Sequence, residues 1–211
     1  DAAEAVLAVK SVLVDLNDAA ATLPNSYNSV ENITPLETPL SSTINGAALA
    51  TPVFLSLYAE NDLRLDKYFA ETDEKGFRKN KKAGSNNYLC TFRVGEIYLT
   101  AAEAAARLGE LSQARTRLLE LMRKRYAPEA YEAKSVVVNA MDKEALVQEI
   151  LDERARELAF EGHRWFDLRR STRPRLEKVL DGTRYVLEEN DARYTLAIPK
   201  EAIEANLGLL N

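Results

Sequence analysis

The sequence predicts a mainly α-helical protein built from paired helices, with loop-rich segments and a small β-hairpin near its end. Three observations predict this class. Apolar residues recur at three- and four-residue steps over several segments, as they do along one face of a helix. Glycine and capping residues separate these segments, as expected at helix ends. Runs rich in β-branched and aromatic residues are short.

Composition and charge exclude several classes of function. The 211 residues include 28 Lys and Arg against 33 Asp and Glu, a net charge of −5, which provides no basic surface for a phosphate backbone. One cysteine and one histidine cannot form an internal disulfide or a Cys/His zinc site. No glycine-rich phosphate loop of the GxGxxG type occurs. We therefore expect no nucleic-acid partner, no metal and no cofactor.

The beginning of the chain predicts a longer precursor. Asp1 is not preceded by a charged and apolar leader, and no run approaches the ~18 apolar residues of a membrane-spanning helix. We expect either that a targeting segment has been removed or that the chain is part of something longer.

Three segments are expected along the chain. Residues 1–23 are predicted to form one amphipathic helix, because apolar residues recur at helical spacing at Val6, Val9, Leu13, Leu16 and Ala20. Prolines among Ser, Thr and Asn then mark residues 24–52 as a loop or a seam. Residues 53–211 form the main domain.

The main domain opens with short elements. Residues 53–58 are an apolar run that fits either a strand or a helix. Asn61 or Asp62 can cap a short helix over residues 63–69. Short extended pieces follow, the last over residues 88–92.

The helical pattern is strongest after residue 93. A helix over Val94–Leu108 should end at Gly109, and Ser112 can cap the next helix. Together, residues 98–126 resemble one tetratricopeptide-type hairpin, with small residues where two helices must approach closely.

The last third of the chain contains one more long helix and a hairpin. The helix is predicted to start after Asp142 and to end at Gly162. Thr183–Leu187 and residues 193–198 are predicted to pair as β-strands, and a short helix can follow Pro199.

Glu157 and Glu161 are the strongest candidates for chemistry. As paired carboxylates they suggest glycoside hydrolysis, but glycosidases place their two carboxylates on opposite sides of the scissile bond. The same spacing fits a ladder of ion pairs with arginines, including Asp152 with Arg156. We favour the ladder, and the glycosidase hypothesis fails if both glutamates are paired with arginines. We expect no catalytic residue.

Three neighbouring features have structural interpretations. His163 and Asp167 are four residues apart and can pair if a helix resumes. Trp165 is expected to be a core residue. Cys90, in a predicted strand, is expected to be a buried and inert thiol.

Aromatic and amide residues on polar segments are the candidates for ligand binding. Tyrosine rings can stack on the C–H faces of sugars, and asparagine side chains can bond to their hydroxyl groups. Asn86, Asn87 and Tyr88 combine these groups, as do Tyr27 and Asn28. Tyrosines at strand ends also pack against their own fold, which is the alternative for each of these residues.

Four ordered segments resemble the SusD/RagB family. The match covers residue 51 to the end, and the opening helix resembles an earlier repeat helix of that family. The signature helix and turn is ELAFEGHRWFDLRR at residues 157–170. The other three segments are NDLRLDKYF at 61–69, FRVGEIYL at 92–99 and YTLAIP at 194–199.

The resemblance implies a SusD-like fold and a non-catalytic function. Such proteins are lipid-anchored at the outer membrane of Bacteroidota and cap a SusC-like TonB-dependent transporter. They capture glycans or other nutrients for uptake in polysaccharide utilisation. Contact with the membrane would be only through a lipid anchor, which this chain lacks.

Two departures from the family and one rival function accompany the resemblance. Family members run to about twice this length, and most of their middle repeats are missing where residues 24–52 lie. The chain is therefore expected to be a C-terminal portion or an internally shortened member. The rival is a tetratricopeptide-like protein–protein adaptor without a small-molecule ligand, which an exposed helical face with no aromatic cluster would favour.

Overall fold

The structure is a computed structural model that describes residues 1–38, 49–82, 88–180, 182–206 and 208. For residues 35–38, 88–91 and 180 it describes the backbone only. The chain divides into two compact units, Asp1–His163 and Arg164–Asn211.

Helix is the main secondary structure of the described residues, which confirms the predicted mainly α class. The helices of the first unit are α1 Ala2–Val9, α2 Pro52–Leu55, α3 Arg64–Tyr68, α4 Val94–Leu108, α5 Leu111–Met122, α6 Pro128–Ala140 and α7 Lys143–Glu157. The helices of the second unit are α8 Arg164–Arg170 and α9 Lys200–Ala205. No helix in the described ranges is long and apolar enough to cross a membrane.

The described strands form three small antiparallel sheets. The strands of the first unit are β1 Asn32–Thr38, β2 Leu49–Ala50, β3 Phe69–Thr72, β4 Arg78–Asn80 and β5 Tyr88–Arg93. Strand β1 pairs with β5, and β4 lies between β2 and β3. In the second unit, β6 Leu176–Leu180 pairs with β7 Thr183–Leu187.

In the central hairpin of α4 and α5, helix α4 has the predicted bounds. Helix α4 ends at Gly109, whose φ of 86° closes the helix in the left-handed region that glycine adopts at little cost. Ala102 and Ala114 are both 0% exposed and allow the two helices to approach closely. The prediction that Ser112 caps α5 is wrong, because Glu110 occupies the cap position.

Helix α6 is absent from the sequence predictions. It starts with Pro128 in its first turn, where a missing N–H costs no hydrogen bond, and Val138 is its buried residue. A helix with so narrow an apolar face lacks the periodicity on which helix prediction depends. Helix α7 starts after Asp142 as predicted, and Asp142 Oδ1 caps it by accepting from Ala145 N at 2.9 Å. The helix ends at Glu157 rather than at Gly162.

The predicted helix over residues 1–23 is wrong beyond Val9. The following segment is extended at Lys10 and forms turns from Leu16 on, because its backbone groups bond to distant residues. The backbone N–H of Leu16 donates to the carbonyl of Lys124 at 2.9 Å. The N–H of Val14 donates to the Glu31 carboxylate at 3.0 Å. Both Val14 and Leu16 are buried, so tertiary contacts outweigh the helical pattern.

Residues 24–52 contain strands as well as loop. Strand β1 includes Pro35, which lies opposite Thr91 of β5. Proline is tolerated there because both strands of a two-stranded sheet are edge strands. Residues 39–48 lie outside the described part of the chain.

Helix α2 resolves the ambiguous apolar run. Thr51 Oγ1 accepts from Phe54 N at 3.2 Å, which caps the helix. Phe54 then packs edge-to-face against Tyr58 and Phe69, with ring centroids 5.8 and 6.4 Å away. These rings form a second core beside the hairpin core.

In the second unit the predicted β-hairpin is wrong in its pairing. Thr183–Leu187 pairs with Leu176–Leu180, not with residues 193–198. The chain at 192–194 instead forms a 3₁₀ turn, in which the Asp191 side chain accepts from Arg193 N at 2.8 Å. Trp165 is only partly buried and stacks on Tyr194 at 5.2 Å, so the expectation of a core tryptophan is also wrong.

Candidate functional site

Ten charged side chains form a buried cluster at the centre of the first unit. We call them the buried charge cluster; five are basic and five acidic, and each is at most 7% exposed: Glu31, Asp62, Arg64, Lys82, Arg93, Arg125, Glu153, Arg156, Glu157 and Glu161. Buried charges are tolerated only where each has partners of opposite charge.

Glu157 is the centre of this cluster. Its Oε1 accepts from Arg93 Nη1 at 2.6 Å and from Arg125 Nη2 at 2.9 Å. Its Oε2 accepts from Arg125 Nε at 2.9 Å and from Arg64 Nη1 at 3.2 Å. Burial raises the pKa of Glu157, but the guanidinium groups of Arg125 and Arg93 outweigh it and hold the pKa well below its ordinary value.

Glu161 is neutralised in the same way. It accepts from Arg93 Nε at 2.9 Å and Nη2 at 2.8 Å, and from Lys82 Nζ. Burial raises its pKa, while Arg93 and Lys82 bring it below the ordinary value. Both carboxylates are ionised and engaged, so neither can donate a proton to a leaving group. The glycosidase hypothesis is therefore wrong, and the ion-pair interpretation is confirmed.

The ion pairs are mainly long-range rather than a ladder along one helix. Arg64 bonds to Asp62 at 2.8 Å and to Glu153 at 2.6 Å. Arg156 bonds to Glu149 and Glu153 rather than to Asp152. The cluster thereby connects α7 to segments that sequence spacing alone does not bring together.

Lys82 closes one end of the cluster. Its ammonium group donates to the carbonyls of Glu157 at 3.0 Å and Ala159 at 3.1 Å. Burial lowers the pKa of Lys82 to about 8, since desolvation disfavours the charged form. The nitrogen also lies 4.3 Å from the ring centroid of Tyr68, a favourable cation–π geometry.

Gly95, in the first turn of α4, lets the cluster approach the helix. A Cβ at this position would lie 2.5 Å from Arg93 Nη1 and 3.1 Å from Glu157 Oε1. At a solvent-exposed position inside a helix, alanine is more stabilising than glycine by about 1 kcal/mol. At Gly95 we expect Gly95→Ala to lower the free energy of unfolding by about 1–3 kcal/mol, as overpacking does.

Urea denaturation of Gly95→Ala checks this expectation. The matched control is Ala104→Gly, an exposed position on the same helix, which should lose about 1 kcal/mol through helix propensity alone. A Gly95→Ala variant more stable than the parent would contradict the close approach of the cluster.

The first unit also has an open cleft of about 690 Å³. We call it the tyrosine cleft; its lining residues are Ser11, Leu13, Asp15, Asn17, Tyr98, Glu120, Arg123, Lys124, Pro128, Tyr131 and Glu132. One wall is the extended segment after α1, and the others come from α4, α5 and α6. Its volume falls in the range of small-molecule sites.

Hydrogen bonds hold the walls of the tyrosine cleft. Tyr98 Oη donates to the Ser11 carbonyl at 3.1 Å. Lys124 Nζ donates to Asp15 at 2.8 Å, and Asn17 Nδ2 donates to the Tyr126 carbonyl at 3.3 Å. The cleft is thus preformed by contacts between residues distant in sequence.

Two residues of the buried charge cluster bond to the backbone of the segment that forms one wall of the cleft. Arg125 Nη1 donates to the Val14 carbonyl at 2.6 Å, and the Glu31 carboxylate accepts from the Val14 N–H at 3.0 Å. Val14 lies between Leu13 and Asp15, which line the cleft. The cluster therefore fixes the extended wall that the sequence pattern suggested would be helical.

The predicted ligand residues have different placements. Asn86 and Asn87 lie outside the described residues. Tyr88 begins β5 opposite Thr38, and its backbone alone is described. Tyr27 is 56% exposed and does not line the tyrosine cleft. Cys90 lies in a strand as predicted, and its side chain is outside the description.

The pairing of His163 with Asp167 stays a prediction. His163 also lies beside another carboxylate. Its Nδ1 lies 3.6 Å from the Glu96 carboxylate, whereas Asp167 bonds to Arg170 at 2.7 Å. Within the described ranges, no group of three or more His, Cys, Asp and Glu side chains is arranged to hold a metal ion.

The chain belongs to the SusD family, whose sequence model matches residues 47–209. This confirms the resemblance found in the sequence. It is a family of binding proteins without catalytic activity, typically associated with the cell surface. No curated protein matches the chain.

Two solved structures share the fold. One is a SusD-like carbohydrate binding protein from Bacteroides vulgatus, 17% identical, with a TM-score of 0.63 over 97% of this chain. The other is a SusD superfamily protein from Bacteroides fragilis, 24% identical, with a TM-score of 0.55 over 73% of this chain. The matches cover 53% of the first protein and 34% of the second.

Proposed function

We propose that the protein binds glycans at the cell surface and delivers them for uptake. The match of the SusD family model to residues 47–209 carries this proposal. The described carbohydrate binding of the Bacteroides vulgatus neighbour supports it. The engagement of Glu157 and Glu161 in ion pairs also supports a binding rather than a hydrolytic role.

The proposed partner is a SusC-like TonB-dependent transporter in the outer membrane. In this arrangement the protein binds the nutrient outside the membrane and works as a lid of the transporter. It would be a lipoprotein, attached to the membrane through a lipid anchor. Residues Asn86, Asn87 and Tyr88 are proposed to contact the glycan, through amide hydrogen bonds and ring stacking.

The rival adaptor function has less support. It would be favoured by a helical face without aromatic rings, yet Tyr98 of α4 and Tyr131 of α6 both line the tyrosine cleft. Rings beside hydrogen-bonding groups are typical of ligand sites rather than of plain scaffold surfaces.

Isothermal titration calorimetry of the purified chain against a glycan panel tests the proposed function. The panel contains soluble starch, β-glucan, xylan, galactomannan and pectin. We expect saturable binding of at least one polysaccharide, and Tyr88→Ala should weaken it by about tenfold. A folded chain that binds no member of the panel, but captures a partner protein, would support the adaptor instead.

A further inference from the structure

The geometry points to the tyrosine cleft as a binding site for a neutral oligosaccharide, separate from Asn86, Asn87 and Tyr88. This inference rests on the proposed function, since it names where and which class of glycan binds. It is carried by the volume of the cleft, its preformed walls, the partly exposed ring of Tyr131 and the small number of cations in its lining.

Of the two tyrosine rings that line the cleft, Tyr131 is the more exposed. Tyr98 is 6% exposed and bonds to Ser11, so it serves as wall. Tyr131 is half-buried, and its hydroxyl has no hydrogen-bond partner among the described residues. A partly exposed aromatic ring suits the C–H face of a pyranose, and its hydroxyl suits a sugar oxygen.

The lining of the cleft has few cations, since its three carboxylates, Asp15, Glu120 and Glu132, outnumber Arg123 and Lys124. Asp15 is paired with Lys124 at 2.8 Å, and Glu120 with Arg117 at 2.8 Å. Burial raises the pKa of Asp15, but hydrogen bonds from Lys124 and Asn17 bring it below the ordinary value, so Asp15 stays ionised.

The remaining two charges of the cleft are also of opposite sign. Arg123 and Glu132 are exposed and have no ion-pair partner within the described ranges. Arg123 supplies a donor and Glu132 an acceptor for hydroxyl groups, while the lining as a whole carries one more negative than positive side chain. Such a lining favours an uncharged sugar over a uronic acid polymer, which would need several cations.

The experiment compares variants by calorimetry with galactomannan, soluble starch and pectin. Tyr131→Ala should raise the Kd for a neutral polysaccharide about tenfold or more. Tyr131→Phe, which keeps the ring, should retain most of the affinity. Glu132→Gln, at an exposed position that carries no packing, should raise the Kd by a smaller factor. The matched control is Tyr185→Ala, an exposed tyrosine of the second unit that is 56% exposed.

The outcomes separate this inference from the proposed function. If the parent chain binds a neutral polysaccharide and only the cleft variants weaken it, the inference is supported. If the parent binds but the cleft variants match Tyr185→Ala, or if pectin alone binds, the cleft assignment is overturned and glycan binding stands. If the parent binds none of the three, the inference is overturned, and the proposed function then depends on whether the parent binds β-glucan or xylan. Circular dichroism of each variant establishes that it is folded.

Discussion

Replacing Glu157 by glutamine is expected to lower the free energy of unfolding by about 3–5 kcal/mol, the usual cost of breaking a buried ion pair. The side chain of Glu157 is 0% exposed and faces three guanidinium groups, those of Arg64, Arg93 and Arg125. Glutamine has nearly the same shape, so the variant removes charge and leaves packing unchanged.

The physical reason is the asymmetry between a complete and a broken buried pair. Desolvation of the cluster's charges is offset by their mutual attraction only while the charges balance. Without the Glu157 carboxylate, Arg93 and Arg125 share Glu31, and the amide NH₂ of glutamine would face a guanidinium donor. The free energy of unfolding therefore falls by more than it does when a single surface ion pair is broken.

Urea denaturation followed by circular dichroism measures the effect. The matched control is Glu4→Gln, since Glu4 also bonds to an arginine, Arg117, at 2.5 Å but is partly exposed to solvent. That variant should lose less than about 1 kcal/mol. If both variants lost the same free energy of unfolding, burial of the Glu157 ion pairs would add nothing to their effect on stability.

Acid is the second large perturbation, and we expect stability to fall steeply as the pH drops below 4.5. Burial raises the pKa values of Glu153, Glu157 and Glu161, but their basic neighbours outweigh it and place all three below the ordinary value of 4.5. In the unfolded chain these carboxyls return to that value.

The sign follows from proton linkage. Because the folded pKa values are lower, the unfolded state binds more protons in acid, and stability rises with pH in this window. The contribution is fully present well above pH 4.5 and is lost as the pH falls through the folded values. Each such carboxyl adds a slope of at most about 1.4 kcal/mol per pH unit.

Urea midpoints at pH 7, 5, 4 and 3 check this dependence. Glu157→Gln provides the internal comparison, since it lacks one of the three carboxyls and should lose stability less steeply between pH 5 and 3. A parent chain with a flat profile down to pH 3 would show that the cluster is not linked to folding.

Local signals were sufficient for part of the fold. Helix α4 has its predicted bounds because apolar periodicity and the stop at Gly109 are encoded within one segment. The same holds for the start of α7 at Asp142. Helix α6 was not predicted because its buried face is narrow. Residues 193–198 were predicted to be a strand from their composition, although Arg193 and Tyr194 lie in a 3₁₀ turn.

The site was less accessible to sequence reasoning. The structural role of Glu157 and Glu161 was predicted, since two carboxylates on one helix face are poorly placed for glycosidic chemistry. Their partners were not predicted, because Arg93 is 64 residues from Glu157, and Arg125 is 32 residues away. The tyrosine cleft had no sequence signal, as its lining comes from four separate segments.

By itself, the sequence determined the mainly helical class, the SusD family and the ion-pair role of Glu157 and Glu161. Only the tertiary structure decided that the chain after Val9 is extended and that a cleft forms beside it. The reason is that helix periodicity is a local property, whereas the wall at Val14 is held by Glu31 and Arg125, whose positions depend on the whole fold.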